Sequence, residues 1–221
     1  RHGGHAGSGA LGPLMLSALM LAAALSGADP DVLTDAIERY RKVESYRVTI
    51  RSVHADAEEH LRYFYQKPGF VRIEFIRPHA GAVLVYSPST QRVRLWPFGA
   101  GRFPELNLSP DNPLITSSRK QRVDQSDVGV LLGNMQMLAQ DGSPGPADEQ
   151  KLAGRQMLHL RVTGRGNFTV AGVHSHELWL DAASLFPVKV ISRDLQDAII
   201  ETVHMEDAEI DVPLPMNLFN P

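Results

Sequence analysis

The side chains that could carry out chemistry are few and scattered in this sequence of 221 residues. His174 and His176 are one residue apart, which on a β-strand places both imidazoles on one face, where a third ligand could complete a metal site. Asp194 and Asp197 resemble a carboxylate pair, but their setting indicates a turn, where aspartate accepts backbone hydrogen bonds. We therefore predict no metal site and no catalytic residue. A hydrolase that uses His174 or His204 as its base is the weaker alternative.

The sequence also lacks the motifs of the common enzyme classes. It contains no cysteine, no Gly-x-Ser-x-Gly elbow, no P-loop, no His-Glu-x-x-His helix and no EF-hand loop. The missing cysteines exclude disulfides, cysteine zinc sites, iron–sulfur clusters and thiol nucleophiles. We predict that the protein is not an enzyme and that it needs no cofactor.

The charge composition argues against nucleic acid as a partner. The chain has 22 Lys and Arg against 25 Asp and Glu, a net charge of −3, whereas phosphate binding needs a surplus of basic residues on one face. Six arginines alternate with apolar residues along the expected strands: Arg47, Arg51, Arg62, Arg72, Arg92 and Arg94. This pattern favours an outer sheet face on which arginine pairs with carboxylates. The alternative is a rim that contacts acidic lipid headgroups.

The first residues have the pattern of a secretory signal peptide. Residues 10–25 carry no charge and precede Ser26-Gly27-Ala28, and the apolar run is shorter than the roughly 20 residues of a membrane-spanning helix. We predict that residues 1–28 are a signal peptide cleaved on export to the periplasm. Residues 29–221 are then expected to form a single domain.

Hydrophobic spacing predicts two helices. Residues spaced i, i+3, i+4, i+7 and i+10 form one apolar stripe at Leu33, Ala36, Ile37, Tyr40 and Val43. The same spacing recurs at Val128, Leu131, Leu132, Met135 and Leu138. Gly129 and Gly133 each weaken this second helix by about 1 kcal/mol relative to alanine, so packing must hold it.

Elsewhere apolar and polar residues alternate, which predicts β-strands. About nine strands are expected, near residues 46–51, 61–66, 71–75, 82–86, 92–96, 156–163, 173–181, 187–193 and 199–208. Short connections indicate an antiparallel meander whose apolar face needs the two helices as its cover. We predict an α+β, mainly β fold, in which a curved antiparallel sheet forms an unclosed barrel covered by two or more helices.

Several short segments, in their order along the chain, resemble the periplasmic outer-membrane lipoprotein carrier (LolA-like) superfamily. They are Lys67-Pro68-Gly69-Phe70-Val71-Arg72, Leu84-Val85-Tyr86, Leu178-Trp179-Leu180-Asp181, Leu185-Phe186-Pro187-Val188-Lys189, the turn at 193–197 and the ending Leu218-Phe219-Asn220-Pro221. The region 97–123 has no counterpart in the carrier. The chain is therefore more similar to a separate branch of the superfamily than to the carrier itself.

The resemblance implies a periplasmic binding or carrier protein for lipid or acylated lipoprotein cargo, held in a hydrophobic cavity under a helical lid. The residues expected to line the cavity are Ile73, Phe75, Val93, Leu95, Leu178, Leu180, Val188 and Val190. The lid is expected at Val128, Leu131, Leu132 and Met135. In carrier members of this family an arginine before the turn proline pins the lid. Lys67 stands at that position here, and Arg72 in the following strand is the second candidate for pinning the lid.

A second function fits the same expected fold. The protein could be an envelope sensory or protein-interaction module without lipid transport, with a partner bound at the sheet edge or at the loop 97–123. The expected partners are thus lipid or lipoprotein acyl chains, or envelope proteins. Peripheral contact with a membrane is compatible with both hypotheses.

Overall fold

A computed structural model describes residues 31–55, 57–116 and 121–221. The expected signal peptide, residues 1–28, lies outside these ranges. The described residues contain two α-helices, α1 (Val32–Tyr40) and α2 (Val128–Asp141). Neither has both the length and the apolarity that crossing a bilayer requires, and the described ranges hold no other helix that does.

The described ranges also contain two short 3-10 helices, Val123–Gln125 and Met216–Leu218, and twelve strands, all of which belong to one antiparallel sheet. The strands are β1 (Ser45–His54), β2 (Ala57–Gln66), β3 (Phe70–Arg77), β4 (Val83–Ser87), β5 (Arg92–Trp96), β6 (Leu106–Leu108), β7 (Ser143–Pro144), β8 (Asp148–Leu152), β9 (Arg155–Thr163), β10 (Ser175–Asp181), β11 (Pro187–Arg193) and β12 (Ile199–Ile210).

The sheet is a meander in which the last strand returns to the first. Its order is β6-β5-β4-β3-β2-β1-β12-β11-β10-β9-β7, and β8 pairs only with β9. The two ends of this path, β6 and β7, do not pair with each other, so the barrel is not closed. The expected α+β, mainly β fold with an unclosed barrel and two helices is confirmed.

Three local differences from the expected elements have simple causes. The segment 54–59, which lies between two of the expected strands, is mostly strand, because β1 continues to His54 and β2 begins at Ala57. The segment 141–148, where no strand was expected, contains β7 and the start of β8. Strand β8 carries the sequence DEQKL, which lacks apolar alternation because it is an edge strand.

Both helices pack on one side of the sheet, which we call the helix side. Three residues of each helix are buried there against every second residue of the strands. They are Leu33, Ala36 and Ile37 of α1 and Leu132, Met135 and Leu138 of α2. The apolar stripes expected from the sequence are therefore the packed faces of both helices, except that α1 ends at Tyr40 and Val43 is buried in the segment after it.

The opposite side of the sheet, the outer side, carries a small apolar patch of its own. Val83, Val85 and Trp96 are at most 6% exposed there, and Phe219 of the C-terminal segment packs against them. The continuous apolar run of β4 is explained by this patch, since β4 is buried on both of its faces.

Candidate functional site

Four tyrosines form a cluster between α1 and the first two strands. Tyr46 on β1 and Tyr63 and Tyr65 on β2 belong to alternate positions that face the helix side, and Tyr40 ends α1. The ring of Tyr46 lies 5.1 Å from that of Tyr65 and 5.9 Å from that of Tyr63, centroid to centroid. Phe186 contacts Tyr46 edge-on at 5.1 Å. Aromatic rings therefore fill the middle of the space under the helices.

The hydroxyls of three of these tyrosines hold the N-terminus of α2. The Tyr40 hydroxyl donates to Asp127 Oδ1 at 3.2 Å, the Tyr46 hydroxyl accepts from the Val128 backbone N–H at 3.3 Å, and the Tyr63 and Ser126 hydroxyls bond at 3.0 Å. Burial raises the pKa of all three tyrosines, and the Asp127 carboxylate raises it further. The hydroxyls consequently stay neutral and remain able to donate.

Asp127 and Gly129 adapt the start of α2 to this cluster. Asp127 Oδ1 caps the helix by accepting from the backbone N–H groups of Gly129 at 2.7 Å and of Val130 at 3.3 Å. A Cβ atom added to Gly129 would lie 2.7 Å from Cε1 of Tyr40. Gly129 thus costs helix propensity but admits the tyrosine ring, whereas a Cβ on Gly133 would meet nothing within 4 Å.

A mainly apolar cavity of about 240 Å³ opens to solvent beside the tyrosine cluster. Its walls are the end of α1, the first half of α2, the turn between β10 and β11, and the end of β12. The apolar part of its lining includes Val43, Val128, Leu132, Leu185, Phe186 and Ile210. A cavity bounded by the ends of several elements can admit a ligand without opening the core.

The turn between β10 and β11 is shaped by the Asp181 carboxylate. Its Oδ1 accepts hydrogen bonds from the backbone N–H and the hydroxyl of Ser184, each at 2.9 Å. Burial of Asp181 opposes its ionisation, but the hydrogen bonds from Ser184 and Arg155 outweigh burial and lower its pKa. This fixed turn carries Leu185 and Phe186 into the cavity wall.

Polar side chains surround the mouth of the cavity. Arg39 donates from Nη1 to the carbonyl oxygen of Ala183 at 2.9 Å, which links the end of α1 to the turn between β10 and β11. Lys42, also exposed, is part of the same lining. Asp211 lies there too, and its Oδ1 accepts from the Glu44 backbone N–H at 2.7 Å.

The strand residues expected to line a cavity lie elsewhere. Val93, Leu178, Leu180 and Val190 are at most 3% exposed and belong to the main core. Ile73, Phe75 and Leu95 are half-buried and pack against that core. Val188 is half-buried next to an irregularity in the pairing of β10 with β11. None of the eight is part of the lining of the 240 Å³ cavity.

Two of the expected lid residues do reach this cavity. Val128 and Leu132 line it, Met135 is fully buried in the core, and Leu131 is half-buried against the core. Helix α2 therefore contributes one wall of the cavity through its first half.

The two candidates for pinning the lid hold different segments. Lys67 Nζ donates to the carbonyl of Arg41 at 2.7 Å and to Glu44 Oε1 at 2.9 Å, so it ties down the segment after α1. It also borders a more polar groove of about 370 Å³. Arg72 is buried on the outer side, where its Nη1 donates to the carbonyl of Leu218 at 2.8 Å. Lys67 thus acts near the helix side, and Arg72 holds the C-terminal segment.

The residues considered for chemistry have structural partners. His174 Nδ1 lies 2.8 Å from the Phe168 carbonyl, and buried His176 bonds to the Ser192 hydroxyl at 3.1 Å. Asp194 Oδ1 accepts two backbone N–H groups of its own turn, as expected. Across residues 31–55, 57–116 and 121–221 no group of three or more His, Asp and Glu could hold a metal ion.

Most arginines of the outer side are paired with carboxylates. The ion pairs are Arg47–Glu209, Arg51–Glu206, Arg62–Glu74, Arg72–Glu74 and Arg94–Glu105, with N···O distances between 2.7 and 3.3 Å. Arg92 instead bonds to the side chain of Asn107 at 2.8 Å. These contacts favour the interpretation of the arginines as one half of a surface ion-pair lattice.

The loops on either side of β6 expose large apolar side chains. Phe103 is 93% exposed, Leu114 72% and Phe98 66%. All three fall in the region 97–123, for which the sequence suggested a partner site.

Sequence reasoning missed the tyrosine cluster and the cavity beside it. One signal was present: four of the five tyrosines lie between residues 40 and 65, at positions that face the core. A buried tyrosine needs a hydrogen-bond partner for its hydroxyl, so this grouping indicates a polar anchor inside an apolar core.

Comparisons with known proteins identify solved structures of similar fold. No family model matches the sequence, and no curated protein matches it. A chain of the Pseudomonas aeruginosa MucA/MucB complex aligns with a TM-score of 0.55 at 16% identity, over 86% of this chain and 60% of that chain. An uncharacterized conserved protein from Thermus thermophilus aligns with a TM-score of 0.52 at 12% identity, over 86% of this chain and 91% of that chain.

A LolA superfamily protein from Nitrosomonas europaea is also among the matches, with a TM-score of 0.35 at 14% identity over 87% of this chain and 97% of that chain. Proteins of the superfamily that the sequence resembles are thus among the solved structures to which this chain is similar. At such low identities these matches show the fold alone.

Proposed function

We propose that this protein binds lipid or acylated cargo by holding one acyl chain in the 240 Å³ cavity, as a carrier or binding protein of the periplasm. The observation that supports this proposal is the cavity itself, which is mainly apolar, open to solvent and bounded by both helices and the sheet. An engineered apolar cavity of about 150 Å³ admits benzene. The cavity of about 240 Å³ in this protein is larger, and it therefore has room for an acyl segment of roughly eight carbons.

The expected affinity suits a carrier that must also release its cargo. Burying about eight methylene groups gains roughly 6 kcal/mol at about 0.8 kcal/mol each. That gain corresponds to a dissociation constant on the order of 10–100 µM, before the cost of ordering the chain. The mechanism requires no catalytic residue, since binding and release are the whole activity.

Residence in the periplasm is part of the proposal and has its own test. It rests on the signal-peptide pattern of residues 1–28. We expect the protein recovered from the envelope of its own cells to begin at Asp29, which N-terminal sequencing measures. An N-terminus upstream of residue 10 in that fraction would contradict cleavage of this segment.

Displacement of a fluorescent fatty-acid analogue tests the cavity. Ile210→Trp places a large ring in the lining at the end of β12, and we expect it to weaken binding at least about tenfold. Ile199→Trp is the matched control, because Ile199 starts the same strand, is 55% exposed and is not part of the lining. Equal binding by both variants, or no binding by the unaltered protein, would contradict the proposal.

Natural cargo can be sought directly. Mass spectrometry of organic extracts from protein purified out of its own envelope should reveal a lipid in stoichiometric amount. The extract of Ile210→Trp should contain less of it than the extract of Ile199→Trp, because only the former blocks the cavity.

A second candidate function is a protein-interaction module of the envelope. The observation that favours it is the exposure of Phe98, Phe103 and Leu114, three large apolar side chains in the region without a counterpart in the carrier. Crosslinking in the envelope should capture one specific protein with the unaltered chain and lose it with the double variant Phe98→Ser and Phe103→Ser. If the double variant retains the captured protein, the loop is not its docking site.

A further inference from the structure

Two cationic side chains, Arg39 and Lys42, belong to the lining of the cavity near its mouth. Arg39 and Lys42 are both exposed members of the lining. Among the described residues, no carboxylate lies within 4.0 Å of either charged group. The hydrogen bond from Arg39 to the Ala183 carbonyl holds its guanidinium at the mouth and uses one of its five N–H donors.

The arginines of the outer side provide a contrast. Five of the six identified from the sequence are paired with a glutamate, so the chain does place carboxylates opposite arginine on that face. At the mouth of the cavity, residues 31–55, 57–116 and 121–221 place no carboxylate opposite Arg39 or Lys42. Among these residues, the one carboxylate in the lining belongs to Asp211, and its Oδ1 accepts from the Glu44 backbone N–H.

We propose that the cavity selects amphiphiles with an anionic head group, either a carboxylate or a phosphate, which Arg39 and Lys42 bind at the mouth while the chain lies against Leu132 and Phe186. This inference rests on the proposed function and adds the chemical class of its ligand. Arginine supplies a planar fork that matches both oxyanions, and lysine adds a mobile point charge.

The position of both cations near the C-terminus of α1 offers a rival explanation. Basic residues favour helix C-termini because they interact with the helix dipole. Arg41 is a suitable control for this effect, since it follows α1 directly, is exposed and is not part of the cavity lining. A charge that serves only the helix should be equivalent at positions 39 and 41.

The test compares ligands of one chain length in a calorimetric titration. Three proteins are titrated: the full chain, the double variant Arg39→Gln with Lys42→Gln, and the single variant Arg41→Gln. The ligands are decanoate, decyl phosphate, decanol and decylammonium. For the unaltered chain we expect both anions to bind about tenfold more tightly than decanol, and decylammonium to bind most weakly. Raising the salt concentration should weaken the anions and leave decanol unchanged.

The variants separate the two explanations. The double variant should bind decanol as before but lose the preference for the anions, whereas Arg41→Gln should keep it. Binding of decanol and decanoate with equal affinity would overturn the anion selectivity while leaving the proposed function intact. Absence of binding by all four ligands would overturn the proposed function itself. A preference for decyl phosphate over decanoate would point to phospholipid cargo, and the reverse to a free fatty acid.

Discussion

The apolar residues on the two sides of the sheet are covered by different kinds of chain segment. On the outer side, Val83, Val85 and Trp96 are covered by Phe219, which directly follows a single 3-10 turn (Met216–Leu218) near the C-terminus. The Arg94 guanidinium lies 4.6 Å from the centroid of the Trp96 ring. On the helix side the cover is two helices, which leave a cavity of about 240 Å³ where their ends meet the turn between β10 and β11.

The difference follows from the stiffness of the covering elements. The C-terminal segment contains only one short 3-10 turn, so its chain can lie close to the sheet surface, and the ring of Phe219 together with Ala100 covers the small outer patch. A helix is a rigid cylinder about 10 Å across, and the space beside its end is filled only where side chains reach it. The tyrosine cluster fills the middle of that space and leaves the end open.

Trp96→Ala should produce the largest loss of stability without any change in ligand binding. Trp96 is 1% exposed, and truncating a buried tryptophan costs about 3–5 kcal/mol of unfolding free energy. Urea denaturation measures the loss, and the fatty-acid displacement assay measures binding below the transition. Phe103→Ala, at a side chain that is 93% exposed, should stay within about 0.5 kcal/mol of the unaltered protein.

If Trp96→Ala weakened ligand binding in the folded protein, the two sides of the sheet would be coupled and the comparison would fail. If it cost less than Phe103→Ala, the outer patch would not be a packed core at all.

Gly129→Ala and Gly133→Ala form a matched pair on the helix side. A methyl group on Gly129 meets the Tyr40 ring at 2.7 Å, and such overpacking costs about 1–3 kcal/mol. The same change at Gly133 meets nothing within 4 Å, so it should stabilise the protein by up to about 1 kcal/mol through helix propensity. Thermal or urea unfolding should give opposite signs for the two variants. Equal effects would mean that Tyr40 does not restrict α2.

Most strands and both helices can be predicted from the spacing of apolar residues in the sequence. Alternation along β1 to β3, β5 and β9 to β11 and the helical stripes at Leu33 and Val128 indicate which face of each of these elements is buried. Strand β8 could not be predicted in this way, because it is a mostly exposed edge strand whose residues do not alternate between apolar and polar.

The cavity could not be located by the same means. Alternation assigns Ile73 or Leu178 to the helix side, but it does not indicate whether the space opposite is empty or filled by another side chain. Tyrosine rings from β1 and β2 fill it in the middle. The open space lies instead at element ends, and its lining includes Leu185, which has a positive φ of 56° in a turn fixed by Asp181. No periodic pattern extends through such a turn.

Phe219→Ala should have a smaller effect than Trp96→Ala on the same outer patch. The side chain is half-buried and its ring lies 5.7 Å from that of Phe70, so we expect a loss of about 1–2 kcal/mol. Limited proteolysis should also cut the C-terminal segment faster in this variant, because its anchor on the sheet is weakened. An unchanged cleavage rate would show that the hydrogen bond from Arg72 to Leu218 holds the segment without the ring.

Tyr40→Phe should have the smallest effect at neutral pH and a distinctive dependence on alkaline pH. The Asp127 carboxylate keeps its two backbone donors when the hydroxyl is removed, so the loss should be about 0.5–1 kcal/mol. Burial, and then the Asp127 charge, raise the pKa of Tyr40 above its unfolded value of about 10. A raised pKa contributes stability that is fully present below pH 10 and is lost as the pH rises above it.

Unfolding free energies measured in urea between pH 8 and pH 11 test this sign. The unaltered protein should lose stability more steeply than Tyr40→Phe above about pH 10, by up to about 1.4 kcal/mol per pH unit for the one ionisable group removed. The two curves should therefore converge as the solution becomes alkaline. Because the outer patch contains no buried tyrosine among Val83, Val85, Trp96 and Phe219, the curve of Phe219→Ala should instead run parallel to that of the unaltered protein. Parallel curves for Tyr40→Phe as well would mean that its hydroxyl ionises as freely in the folded protein as in the unfolded chain.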